Sequence, residues 1–240
     1  YAALIEGLLF HMTSDEEHAR RAKEALLSYA EFPNEVPDAL KRLQKYPKGI
    51  YPVTPTFGGM SLFLNAYEFI KKSPEIRRQD REILEHIIAN TAESYLPFPE
   101  WGAHNRAAKS GLSLVYAAQL FPDNPRASIW SAVGKLLIDG SLRHWSLEDS
   151  SMYCLIWLAD LMIYLDFAGD SEVFRSAMMR YYFDYFMNLF CPLGMIPDYG
   201  DSNWGWAWDL CMIFMEKGAT VYRNPHMKCD ADRIFRHARE

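Results

Sequence analysis

Three stretches of this 240-residue chain gather side chains that can hold an anion or move a proton, each beside a run of helical periodicity. The first is Glu100-Trp101-Gly102-Ala103-His104-Asn105-Arg106, where an imidazole, an amide and a guanidinium are adjacent at an expected helix N-terminus. Free backbone N–H groups and the macrodipole favour negative charge at such a place. A neutral His104 exchanges a proton near physiological pH. Asn105 can donate to a carboxylate, and Arg106 can pair with one through both of its fork nitrogens. The plainer alternative is that His104 caps the helix while Asn105 and Arg106 are solvated.

The second stretch runs from Gly140 to Tyr153. It holds Arg143, then Glu148, Asp149 and Ser150 in the pattern of a helix cap, and Tyr153 in the first turn that follows. A tyrosine there ordinarily packs. Tyr153, however, sits between polar cap residues and a strongly apolar helix, so its hydroxyl can reach a cleft. The third stretch, Gly194 to Trp204, is a loop shaped by Pro197, Gly194 and Gly200 that leads into a helix expected from about Asn203, with Asp201 or Ser202 as its cap. Tyr51, Trp101, Tyr199 and Trp204 suit stacking on sugar rings, and Glu100, Glu148, Asp201 and Asn203 add polar contacts for a substrate. The alternative for the aromatics is that they cover helix ends, and for Asp201 that it only caps.

The elements that position these groups read as helices throughout. Apolar residues recur at helical spacing and strand-like alternation is essentially absent. The spacing and the Ser, Asp, Gly and Pro punctuation predict helices at Asp15–Phe32, Gly59–Lys72, Glu75–Tyr95, His104–Leu120, Pro125–Ile138, Ser150–Phe167, Ser171–Phe190, Asn203–Val221 and from Pro225 onward. Most links are short, which makes successive helices antiparallel neighbours. Three longer connections, Lys45–Gly59, Leu96–His104 and Cys191–Trp204, are rich in aromatic and polar residues, and loops of that composition carry function. The expected fold is all-α: helical hairpins forming an (α/α)n toroid, an incomplete barrel, in a single domain over residues 1–240. With Tyr1 first and Glu240 inside a charged helical pattern, the chain reads as a piece of something longer.

Composition excludes several classes. Half of the residues are hydrophobic and 23% are charged, as in an ordinary globular protein. The net charge of −6, with 25 scattered Lys and Arg residues, argues against a nucleic-acid binder. No uninterrupted apolar run reaches the roughly 18 residues of a bilayer span, since Asp160 and Asp166 break the stretch from Cys154 to Phe167, so no membrane insertion is expected. Cys154, Cys191, Cys211 and Cys229 lie far apart, without the spacing of a zinc site, and read as mostly buried thiols. No metal cluster stands out.

Taken in order, the three stretches resemble the α/α-toroid polysaccharide lyases, the group that includes alginate lyases and heparinase II/III-like proteins. In that group an adjacent Asn and His come first, a tyrosine follows about fifty residues later after a Gly-Ser and an acidic segment, and a Gly-Asp-Ser loop comes last. Here these are Asn105 and His104, Tyr153, which lies 49 positions beyond His104, and Gly200-Asp201-Ser202. The likeness extends from about Gly58 onward. His-Asn-Arg followed by Glu-Asp-Ser-Ser-x-Tyr is most similar to polysaccharide lyase family 38, although the order here is His-Asn where many relatives have Asn-His.

The resemblance implies cleavage of a uronic-acid polymer (alginate or polymannuronate, glucuronan or a glycosaminoglycan) by β-elimination, with no cofactor. Asn105 would bind the C6 carboxylate with Arg106 or Arg143 as helpers, stabilising the enolate-like charge of the transition state. Tyr153 would protonate the departing O4. The base that takes the C5 proton would be Tyr153 itself or His104. A polymeric anionic substrate implies an extracytoplasmic location. Two other readings stay open: a glycoside hydrolase on the same scaffold using Asp149 and Asp201, and a glycan-binding domain without catalysis.

Overall fold

The computed structural model describes residues 1–31, 59–97, 99–144, 150–191, 196–202 and 207–237. Among these residues the chain is all-helical, without strands and with a single isolated antiparallel bridge between Ser150 and Gly200. Ten α-helices run in order: α1 (Ala2–Thr13), α2 (Glu16–Glu31), α3 (Gly59–Ile70), α4 (Arg78–Tyr95), α5 (Asn105–Leu120), α6 (Ala127–Leu142), α7 (Ser151–Ala168), α8 (Ala177–Leu189), α9 (Ala207–Tyr222) and α10 (Pro225–His237). A 3-10 turn, Val173–Arg175, precedes α8.

Several boundaries differ from those expected. Helix α1 has no counterpart among the predicted helices. Helix α4 begins three residues later than Glu75, because the Asp80 side chain reaches back to accept from Arg77 N–H at 3.0 Å and sets its start. Helix α6 runs four residues past Ile138, to Leu142. The single helix expected over Ser171–Phe190 is interrupted at Ser176, whose extended backbone and side chain, accepting from Met179 N–H at 3.2 Å, cap α8 afresh. The thiols also divide evenly: Cys154 and Cys211 are buried, Cys191 is half-buried and Cys229 is exposed.

The described residues group into two compact units, with α5 and α6 each contributing to both. The first comprises those of Tyr1–Pro99 and Ser113–Leu136. Its core holds Leu26, Leu64, Ile70, Leu84, Ile88 and Trp130, each worth roughly 2 kcal/mol of apolar burial. The turn between α1 and α2 is made by Ser14 in the left-handed region (φ 58°), its N–H closing on Phe10 O at 2.7 Å. The indole of Trp130 donates to Glu93 Oε1 at 2.7 Å, and Arg126 grips the same carboxylate through two bonds of 2.9 Å. Burial works to raise the Glu93 pKa, but the hydrogen bonds from Arg126 and Trp130 outweigh it and hold the carboxyl below its ordinary value.

The second unit comprises the described residues of Glu100–Leu112 and Leu137–Glu240. Its core centres on α7, with Trp157, Leu158 and Leu161 packed among Phe183, Phe186 and Phe214. Phe183 stacks on Phe214 at 4.0 Å between centroids. Helices α9 and α10 approach so closely that a Cβ at Gly218 would lie 2.5 Å from Met227 Sδ and 2.6 Å from Phe183 Cδ1. By length and composition α7 is apolar enough to cross a bilayer, with a mean hydropathy of 1.4 over its 18 residues. The two aspartates therefore do not break its apolar character as the sequence suggests. Half of it is buried inside the protein, as in a helix that is apolar all round and forms a core. Asp160, on this helix, is 5% exposed, with Lys109 Nζ of α5 at 3.8 Å from Oδ2. Burial pushes its pKa up to about 7, against the opposing pull of Lys109.

Candidate active site

The site is assembled at helix ends in the second unit. Ser150 is the N-cap of α7: its Oγ accepts from Tyr153 N–H at 3.2 Å, which places Tyr153 at the third helical position. Ser202, from a loop 50 residues away, accepts from Met152 N–H at 3.0 Å and exchanges hydrogen bonds with Ser150 Oγ at 2.8 Å and Ser151 Oγ at 2.9 Å. Ser150 Oγ also reaches Asp201 O at 3.2 Å, and Ser151 N–H donates to Tyr199 O at 3.3 Å. Gly200 turns the loop in the left-handed region (φ 65°), where a side chain would be strained. Asp201 and Ser202, read from the sequence as caps of the helix after them, are thus fastened to the N-terminus of α7.

That latch fixes one side-chain pair. Tyr153 Oη donates to Asp201 Oδ2 at 3.3 Å in an exposed setting, so the phenol is accessible while a carboxylate orients its proton. Tyr199, from the same loop, is half-buried and accepts from the Tyr185 hydroxyl of α8 at 3.4 Å. Burial and the Tyr185 hydroxyl push its pKa far up, so it stays neutral.

The Glu100-to-Arg106 stretch forms the approach to α5. A backbone N–H, from Ala107, points at His104 Nδ1 at 3.3 Å, and His104 Nε2 lies 3.2 Å from Trp101 O. An N–H can only donate and a carbonyl can only accept, so the neutral ring carries its proton on Nε2 and both nitrogens are engaged. His104 is the cap of α5. Asn105 is 3% exposed, which leaves its amide little surface to offer a ligand. Arg106 pairs with Glu100 at 2.6 Å on the surface. Trp101 is 54% exposed, and its indole lies 3.7 Å from where a Gly140 Cβ would be, at ordinary contact distance from α6.

Two hydrogen bonds fasten the C-terminal end of α6 and the residue after it, one to the Glu100–Arg106 stretch and one to α8. Ser141 Oγ, near the end of α6, donates to Gly102 O at 2.7 Å, and Tyr182 Oη of α8 donates to His144 O at 2.9 Å while its ring meets Trp157 edge-on at 4.8 Å. Gly102 itself has a φ of 118°, open to glycine alone, so the loop bend depends on it. Arg143, immediately before His144, is exposed and has no ion pair with any described residue. Tyr51, Glu148, Asp149, Asn203 and Trp204 lie outside the described residues. Ser151, Tyr182 and Tyr185 are structural parts of the site that the sequence reading does not single out. For the two tyrosines the available signal was their i, i+3 spacing, which aims both hydroxyls from one face of α8.

Among the described residues no three His, Cys, Asp or Glu side chains gather as a metal site. Set against models of protein families, curated proteins and solved structures, the chain matches none of them.

Proposed function

We propose that the chain is the helical, toroid-type part of a polysaccharide lyase that cleaves a uronic-acid-containing polymer by β-elimination, with Tyr153 as its acid-base residue. The observation that carries this reading is the accessible Tyr153 hydroxyl, held against Asp201 at 3.3 Å by a loop fastened to the same helix start. Syn elimination needs one oxygen that can face both the C5 proton and O4, with an acceptor beside it for its own proton. With that proton passed to Asp201, the phenolate oxygen takes the C5 proton and gives it to the departing O4, the C5–H electron pair becomes the C4–C5 double bond as the C4–O4 bond breaks, and Asp201 returns the proton to Tyr153. Tyr153 ends neutral, as it began, and no cofactor takes part.

The C5 proton is acidic enough only when the adjoining carboxylate is neutralised. Arg143 has no ion pair with any described residue, which favours it over Arg106, paired with Glu100, and over the buried Asn105 for that contact. With both nitrogens of His104 engaged, its part is to position the start of α5. Trp101 and Tyr199 supply faces on which sugar rings stack. A polymer of this size is met outside the cytoplasm, so the protein acts there.

Tyr153→Phe tests the assignment on the full-length protein. Loss of turnover by about 10²–10⁴-fold, with affinity for the polymer retained, is the expected result. Retention of wild-type turnover overturns it.

A further inference from the structure

Within the first unit, the C-terminal end of α3, the first turns of α4 and the turn after α5 line a half-open cavity of about 340 Å³. That volume is in the range of small-molecule sites. Its inner wall is the stacked pair of Tyr67 and Phe121, with rings 5.4 Å apart and 13° from parallel. Its polar lining is Lys71, Lys72, Arg81, Glu85 and Asp123, three cations against two carboxylates.

Two of the three cations are not spent on carboxylates among the described residues. Lys71 is paired with Glu68 at 2.7 Å. Arg81 reaches the Tyr67 hydroxyl and, at 3.4 Å, Lys71 O, but among the described residues it has no carboxylate partner, and Lys72 has none either. A guanidinium fixed by two neutral acceptors retains donors aimed elsewhere, and its planar fork suits an oxyanion. Glu85 accepts from Asn124 at 3.2 Å, which orients it while leaving lone pairs over. Asp123 is exposed at the rim. Carboxylates beside unpaired cations are a poor design for a bare anion such as phosphate, which they would repel. They suit an anion that also carries hydroxyl groups, because each carboxylate then accepts from an O–H while the cations hold the charge.

We infer that this cavity is a binding site for a small polyhydroxylated anion, a sugar acid or sugar phosphate, with Arg81 and Lys72 holding the charged group and Glu85 and Asp123 its hydroxyls. The site draws on none of the residues assigned to elimination, and its occupancy does not depend on that reading.

Calorimetric titration of the full chain with glucuronate, glucose 6-phosphate, glucose and inorganic phosphate tests the inference. At least one of the two sugar anions binds, neutral glucose and inorganic phosphate bind at least about tenfold more weakly, and Arg81→Gln weakens the sugar anion by roughly tenfold or more. Arg143→Gln, which removes the guanidinium assigned to the uronate carboxylate at the candidate active site, leaves that binding unchanged, which separates the two sites. Lys72→Gln, at an exposed turn where folding is not at stake, lowers affinity in the same direction. Absence of binding by both sugar anions overturns the inference, as does binding that Arg81→Gln and Lys72→Gln leave intact, or inorganic phosphate binding as tightly as the sugar anions.

Discussion

Tyr153 Oη lies 3.3 Å from Asp201 Oδ2, two side chains 48 residues apart that meet because the loop bearing Asp201 is fastened to the cap of α7. The fastening is made by Ser150, Ser151 and Ser202, whose hydroxyls bind one another and the first N–H groups of the helix. The Tyr153–Asp201 pairing therefore depends on three small polar residues.

Ser202→Ala removes the hydroxyl shared by Ser150, Ser151 and Met152 N–H. Stability should fall by about 1–3 kcal/mol, the cost of leaving buried polar groups without partners. Turnover should fall further than the loss of folded protein explains, because Asp201 is released from Tyr153. Ser176→Ala is the contrast: loss of the α8 cap should cost about 1 kcal/mol and leave kcat unchanged. Urea unfolding and steady-state rates on both variants check the pair.

Asp160 makes stability depend on pH. Its folded pKa, about 7, is above the ordinary carboxylate value, so between about pH 4 and 7 the unfolded chain ionises this group and the folded chain does not. Stability contributed by the neutral carboxyl is present in acid and is lost as pH rises through that window, by up to about 4 kcal/mol. Asp160→Asn should abolish this slope. The stability of the variant minus that of wild type should climb from pH 4 to 7 and level off above.

Gly218→Ala should cost about 1–3 kcal/mol, because the added methyl meets Met227 and Phe183 well inside contact distance and disturbs the Phe183–Phe214 stack. A lowered unfolding midpoint, with the far-ultraviolet dichroism of the folded state unchanged, is the outcome expected.

What the sequence makes legible follows from how local each interaction is. Helices α2, α3, α5, α7 and α10 were readable because periodicity, Ser150 and the prolines act within a few residues. The Ser150 cap and the place of Tyr153 were readable for the same reason. The break at Ser176 was not, because a short capping motif is hidden in an apolar and aromatic run whose period continues across it. The partnership of Ser202 with α7, the hydrogen bond from Tyr185 to Tyr199 and the approach of Lys109 to Asp160 join residues remote in sequence, and no local rule encodes them. In the sequence Asp160 is merely an interruption of an apolar stretch. Burial is what gives it a raised pKa.

The elimination itself is tested most directly by its product. Each β-elimination leaves a C4–C5 double bond conjugated to the carboxylate, which absorbs in the ultraviolet, whereas hydrolysis leaves none. Full-length protein should raise ultraviolet absorbance on at least one of alginate, polymannuronate, glucuronan or a glycosaminoglycan, in step with new reducing ends. New reducing ends without absorbance, or no cleavage of any of these polymers, would contradict the account.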